Sequence, residues 1–332
     1  MVSCDSRLFK KIRVKKYNFK VALIGSGKTA EKHAEVIKCF QNYKITSVFS
    51  KNLKNAKKFS RKYKIESFYN NFNEFISKEI YDLIIICLPP EKLLFFLSKI
   101  INLNSNIFIE KPLGLNLFEA KKILNLYKKR KFSKIKFFVG YNRRFLESSS
   151  KLKKILSKEN SKYFIDVQDQ QDIKIAKNMG HSKKTLINWM YANCIHTIDL
   201  FNFLSKGNPT KVVSKKIFLN NCYIIYASIN FTNGDIGRYT CYWNIPASWS
   251  VTVSTKNNTF KLNPLEKLQF IKKEKNNYKN LSKFDKKFKP GFYNQFNEID
   301  KSLRGKKNYA VTIIDAIQSV KLISKIYDNI KK

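Results

Sequence analysis

The stretch Phe19-Lys20-Val21-Ala22-Leu23-Ile24-Gly25-Ser26-Gly27-Lys28-Thr29-Ala30 decides the fold. A short apolar run is broken by two glycines and followed, from Lys28 to Phe40, by residues at helical spacing, so it reads as strand, tight turn and helix. The pattern G-x-G-x-x-G/A in that context has a mechanical reading. Gly25 permits the turn, Gly27 lets a pyrophosphate approach the backbone, and the small Ala30 lets helix and strand pack closely. The free N–H groups at the helix start suit phosphate. Gly25, Ser26, Gly27, Lys28, Thr29 and Ala30 are therefore expected to cradle a dinucleotide.

The same alternation continues outward. Ile45–Phe49, Leu83–Leu88 and Ile107–Ile109 read as strands, and Leu53–Tyr63, Glu91–Ile101 and Leu117–Arg130 as helices. Strands separated by helices imply βαβ units, a parallel sheet and an α/β class. Residues 1–142 are thus expected to form a doubly wound Rossmann domain. After a helix over Glu147–Leu156 the character changes. Val212–Leu219, Tyr223–Phe231, Ile236–Trp243, Ser250–Ser254 and Leu268–Lys272 are β-rich, and Asn233-Gly234 suggests a type I′ hairpin. Residues 143–309 are expected to be a substrate and oligomerisation domain with a large open, mostly antiparallel sheet, one face on helices. Residues 273–290, rich in Lys and Asn, read as a loop, and Ala310–Ile330 as a helix in a C-terminal segment 310–332 that packs back on the body.

The formal charge of +41 invites a nucleic-acid reading. The charge is almost all lysine and is spread from Lys10 to Lys332, which argues for biased residue usage over one binding face, so no specific nucleic-acid partner is expected. The excess favours acidic small molecules. Cys4, Cys39, Cys87, Cys194, Cys222 and Cys241 show no metal or disulfide spacing, and no metal is expected. Ser3, Asp5 and Lys10 to Lys16 interrupt any leader-like apolar core, and apolar stretches such as Leu83–Pro90 are too short for a bilayer. A cytoplasmic protein without a membrane partner is the expectation.

Two segments carry the chemistry. At the end of the second strand, Ser50-Lys51-Asn52 stands where an acidic residue would bind a ribose 2′-hydroxyl; a hydroxyl beside a cation suits a 2′-phosphate, so NADP is preferred over NAD. After Ile107-Phe108-Ile109 comes Glu110-Lys111-Pro112-Leu113-Gly114, a lysine at the mouth of the sheet. Lys111 can act as a proton carrier near neutral pH only if burial or neighbouring cations lower its pKa from about 10.4. Glu110 would oppose that shift and is expected to point away.

With Gly140-Tyr141-Asn142-Arg143-Arg144-Phe145, His33, Leu88-Pro89-Pro90 and His196-Thr197-Ile198-Asp199 added in order, the chain resembles the Gfo/Idh/MocA oxidoreductases, the glucose-fructose oxidoreductase and inositol dehydrogenase group. The resemblance implies hydride transfer between NAD(P) and a sugar, cyclitol or sugar-nucleotide hydroxyl, in a homo-oligomer (dimer or tetramer). It places Lys111 and His196 on the reacting oxygen, Leu88, Pro89 and Glu110 beside the cofactor, and a cis peptide before Pro112. Tyr141, Arg143, Arg144, Asn193 and Asp199 fall at the substrate, a sugar or acidic sugar derivative. His196 is a titratable group near pH 7 that Asp199, one turn later, could orient. The chain departs from the family pattern D-x-G-x-H, with Ala192 and Cys194 at the first and third positions. The alternative is a dinucleotide-binding sensor or assembly protein of the same fold with impaired catalysis.

Overall fold

The computed structural model describes residues 19–271, 276–279, 282–328 and 330. The first sheet is built from β1 (Phe19–Ile24), β2 (Tyr43–Phe49), β3 (Ser67–Tyr69), β4 (Leu83–Ile86), β5 (Asn106–Ile109) and β6 (Phe137–Val139), with helices α1 (Lys28–Ile37), α2 (Leu53–Tyr63), α3 (Phe72–Ser77), α4 (Pro90–Ile100) and α5 (Leu117–Lys128) between them. Its order is β3-β2-β1-β4-β5-β6, and every pairing is parallel. All four residues of β4, Leu83-Ile84-Ile85-Ile86, are buried, as expected of a strand covered by helices on both faces. The strand ends at Ile86, two residues before the expected Leu88, and Pro90 opens α4, where its missing N–H costs nothing.

The rest comprises α6 (Glu147–Leu156), β7 (Phe164–Gln171), α7 (Ile173–Asn178), α8 (Lys183–Ile187), α9 (Ile195–Leu204), β8 (Pro209–Leu219), β9 (Cys222–Phe231), β10 (Ile236–Trp243), β11 (Ser250–Ser254), β12 (Thr259–Leu262), β13 (Leu268–Ile271) and β14 (Asn276–Lys279). Three helices follow: α10 (Lys283–Lys287), α11 (Phe292–Leu303) and α12 (Ile313–Asp328). The second sheet has eight strands in the order β14-β13-β12-β11-β7-β10-β9-β8 and is antiparallel except where β7 meets β10. Alternate residues such as Ile165, Val167, Ala227, Ile229, Tyr239 and Cys241 are buried under α9 and α12, and the opposite face is open. The stripe Ile313, Ile317, Val320, Ile323 and Ile326 of α12 lies in this core. Among the described residues, no helix is long and apolar enough to cross a membrane.

Two local expectations are corrected. The β9–β10 connection is a four-residue loop, not a two-residue type I′ turn: only Gly234 takes positive φ (+81°), and the Asn233 side chain accepts the Asp235 N–H at 3.4 Å. Within 273–290, read as loop, the chain forms β14 and α10; residues 273–275, 280 and 281 lie outside the described residues. The helix α11, late in the chain, packs against α1 beside the first sheet, where Phe292, Phe296 and Ile299 join the core of β1 and β2.

One ion pair is central to the packing. Arg144 donates through Nε to Asp199 Oδ2 at 2.5 Å and through Nη2 to Oδ1 at 2.6 Å, with Asp199 on α9 almost fully buried and also accepting from Ser319 Oγ of α12 at 2.6 Å. Removing one partner strands a buried charge. Arg144→Met is expected to cost about 3–5 kcal/mol of stability. Arg144→Met/Asp199→Leu should cost less than the sum of the single changes, read from denaturant unfolding.

Candidate active site

Helices start where the parallel strands end, so the N-termini of α1 to α5 all face one edge of the first sheet. Asn side chains cap three of them: Asn52 on α2, Asn71 on α3 and Asn116 on α5. No side-chain hydrogen bond caps α1 or α4. Those two helices follow β1 and β4, the neighbouring strands at which the order reverses, and their unclaimed N–H groups flank that crevice. The glycines keep the crevice open. A Cβ on Gly25, at φ +113°, would lie 2.4 Å from the Cys87 carbonyl oxygen, whereas one on Gly27 would meet nothing within 4 Å. A backbone cradle with room before it and bare N–H donors behind fits a pyrophosphate. Ala30 is fully buried in the helix–sheet contact, and Ser26, Lys28 and Thr29 line the turn. Beyond β2, Ser50 N–H bonds the Tyr69 carbonyl at 3.0 Å; Lys51 is exposed, with its ammonium 5.9 Å from the Phe96 ring.

At the end of β5, Glu110 and Lys111 turn to different partners. Glu110 Oε1 lies 2.6 Å from His33 Nε2. Burial raises the Glu110 pKa, but the His33 hydrogen bond and charge outweigh it and hold the carboxyl below its ordinary value. Lys111 precedes Pro112 through a cis peptide, and its Nζ donates to the Ala192 carbonyl at 2.8 Å. Burial pushes the Lys111 pKa down to about 8; Glu110 resists, and Lys289 and Arg143 push further in the same direction.

Across from Lys111, a π-helical turn over Met190–Cys194 leads into α9 and places His196 against the ring of Trp249, centroids 5.9 Å apart. His196 is buried and its Nδ1 has no hydrogen-bond partner. Burial, then the charges of Lys111, Arg143 and Lys289, hold its pKa well below the ordinary histidine value, so the imidazole is neutral. Arg143 lies with its guanidinium carbon 5.6 Å from the same Trp249 ring. His181, in the turn before α8, packs on Trp189 at 4.9 Å and is influenced by Lys111.

The π-turn is braced from below. Asn193 Nδ2 and Trp189 Nε1 each donate to Gln171 Oε1 at 2.8 Å, and Gln171 Nε2 donates to Asp169 Oδ1 at 2.6 Å. Asp169 Oδ2 accepts from Thr197 Oγ1 at 2.6 Å and Tyr239 Oη at 2.8 Å. Burial pushes the Asp169 pKa up to about 6 against these donors. Asp169, Cys194 and Cys241 bring potential ligand atoms within 4.8 Å of one another, but burial raises both thiols toward the neutral form that a metal does not bind.

Of the residues singled out in the sequence, Lys111, His196 and Arg143 thus meet at one place. Arg144 and Asp199 face each other instead, and Tyr141 is buried with its hydroxyl toward the Ala316 carbonyl at 3.4 Å. Asn193 supports the wall through Gln171. Lys289, Trp249, His181 and Asp169 were not singled out as site residues. Lys289 carries no signal among so many lysines, and Trp249 reads as sheet packing.

Residues 19–141 match the family described as "Oxidoreductase family, NAD-binding Rossmann fold", GFO_IDH_MocA. This match to the Gfo/Idh/MocA family covers the first sheet and stops before the second. Over 137 residues it is 28% identical to a myo-inositol 2-dehydrogenase of Thermotoga maritima, covering 40% of this chain and 39% of that one. The chain spans 39–58% of the length of the curated relatives it matches. Among solved structures, a dehydrogenase from Chromobacterium violaceum superposes with TM-score 0.82 at 16% identity, covering 95% of this chain and 96% of that one. A UDP-N-acetylglucosamine 3-dehydrogenase from Acidithiobacillus ferrooxidans gives 0.76 at 12%, over 95% and 98%. At these identities the likeness is one of fold, and it runs through both sheets.

The two glycines are expected to separate under substitution. Gly27→Ala, which meets no atom, should leave stability unchanged and weaken NAD(H) binding, whereas Gly25→Ala should lower both. Thermal unfolding with and without NADH distinguishes the two outcomes.

Proposed function

We propose that the chain transfers hydride between NAD(P) and a hydroxyl-bearing carbon of a sugar, cyclitol or sugar-nucleotide. Lys111 is its proton carrier. The observation that carries this reading is a half-buried lysine at the end of β5 with its pKa pushed down to about 8, its ammonium held on a carbonyl and facing a neutral histidine. NAD(P), when bound in the crevice, supplies the nicotinamide carbon that takes or gives the hydride. In the oxidative direction, neutral Lys111 Nζ accepts the substrate hydroxyl proton; in the reductive direction its ammonium returns one to the carbonyl oxygen. His196 stays neutral and hydrogen-bonds the same oxygen, fixing the reacting carbon rather than carrying the proton. The Ala192 carbonyl orients Nζ in both protonation states. Relatives named for myo-inositol and UDP-N-acetylglucosamine support a polyol substrate.

We infer a preference for NADP from Ser50 and exposed Lys51 at the end of β2, where no carboxylate stands to repel a 2′-phosphate. The open face of the second sheet, with Phe164, Val213, Ile217, Tyr226 and Ile236 exposed on one side, is the surface we assign to self-association. The second reading, a cofactor-binding protein without catalysis, is favoured by one feature: Ala192 in place of the family's Asp.

Turnover assays on a panel of polyols and keto-sugars decide between them. Oxidation should rise with pH through about 8, because the amine must be neutral, and reduction should fall through the same range. Lys111→Met is expected to lower kcat by about 10²–10⁴ with cofactor affinity within a few-fold. Full activity in that variant rules out the proton-carrier role. Lys51→Asp should shift the NADP/NAD ratio of kcat/KM toward NAD by about tenfold or more, the loss of a charge-assisted contact.

A further inference from the structure

Three cations, Lys111, Arg143 and Lys289, gather at one end of the cleft. Lys111, Arg143 and Lys289 each disfavour charge on their neighbours: Lys289 and Arg143 act on Lys111, Arg143 acts on Lys289, and all three act on His196. The acidic groups nearby are held by other donors or offset the cations in part. Glu110 is bound to His33 while still opposing the fall in pKa of Lys111 and Lys289, and Asp285 accepts backbone N–H groups from Glu147 at 2.9 Å and Gly291 at 2.8 Å. Arg143 makes one ion pair, from Nη1 to Glu266 Oε1 at 3.6 Å, which leaves its Nε edge open.

Two polar atoms at this point are buried without a partner, Arg143 Nε and His196 Nδ1, and the Trp249 ring packs beside both side chains. Lys289, between α10 and α11, is exposed; it lies 4.4 Å from the Phe292 ring and, among the described residues, makes no ion pair. Asn142 Nδ2 donates to the Pro290 carbonyl at 3.0 Å, which holds the segment of Lys289 beside that of Arg143. A guanidinium edge with an unused donor and an ammonium without an ion pair among the described residues are the two halves of an oxyanion clamp. Arg144 cannot serve: both its forked donors are spent on Asp199.

We propose that Arg143 and Lys289 form an anion subsite that selects substrates bearing an oxyanion, a carboxylate or a phosphate ester, beside the carbon that reacts at Lys111. This rests on the reading of Lys111 as proton carrier. The anion would fill the unused donors and relieve the mutual repulsion of the cations. Lys289 would thereby be a specificity residue on a segment remote in sequence from the rest of the site.

The test uses the full chain saturated with NADPH, with D-glucuronate, D-glucose 6-phosphate and D-glucose as probes. Binding is followed by bound-NADPH fluorescence and turnover by absorbance. At least one acidic probe should bind about tenfold or more tighter than glucose, the size of one charge-assisted contact, with the better of the two naming the oxyanion. Lys289→Met, a change at an exposed position, should bring the acidic-to-neutral affinity ratio toward one; Lys289→Arg should keep it; Arg143→Met should reduce it independently. Equal affinity for the three probes, no measurable binding of either acid, or an unchanged ratio in Lys289→Met overturns the subsite. A charge preference without turnover of any probe leaves the subsite standing and counts against hydride transfer. Turnover of glucose without charge preference does the reverse.

Discussion

An ammonium group taken out of water must find an acceptor or give up its proton. Lys111 does part of each: its Nζ bonds a main-chain carbonyl on the far side of the cleft, and its affinity for the proton falls. That one bond ties the end of β5 to the π-turn before α9, so the two halves of the molecule meet at this lysine. The kind of acceptor matters. A carboxylate at the position of Ala192 would stabilise the charged lysine and raise its pKa, whereas a carbonyl dipole orients Nζ with far less bias toward the charged form. Glu110, drawn toward His33, still opposes the fall, and burial together with the neighbouring cations outweighs it.

Such an arrangement depends on the carbonyl staying where it is. Ala192 lies in a turn whose neighbours Trp189 and Asn193 converge on a single oxygen of Gln171, itself held by Asp169. Buried polar networks of this kind are worth keeping only when every member is satisfied, and here the chain of donors and acceptors runs from the cleft wall into the second sheet. The sheet thus acts as a rigid floor for the acceptor of the Lys111 ammonium.

The first sheet is legible in the sequence because parallel strands buried on both faces are unbroken apolar runs. β3 and β6 have three residues each, too few to show any period. β7 hides for a different reason: its inward positions include Asp169 and Gln171, so the alternation of apolar and polar residues that would mark it is lost. The site was partly legible. Lys111 and His196 stand out through their motifs, but Arg143 and Arg144 are neighbours of identical type whose fates diverge in a 3₁₀ turn that sends one to a buried aspartate and the other to Trp249. Nothing in a single sequence separates them, nor marks Lys289 among its many equivalents.

The atom that a side chain at Gly25 would strike is the carbonyl oxygen of Cys87, part of the main chain of the neighbouring strand's exit. Main-chain atoms are the same whatever residue occupies a position. No replacement of Cys87 can make room for a larger residue at 25, so this pair is closed to second-site suppression. Drift at the crevice must proceed around a fixed glycine, whatever side chain packs at position 87.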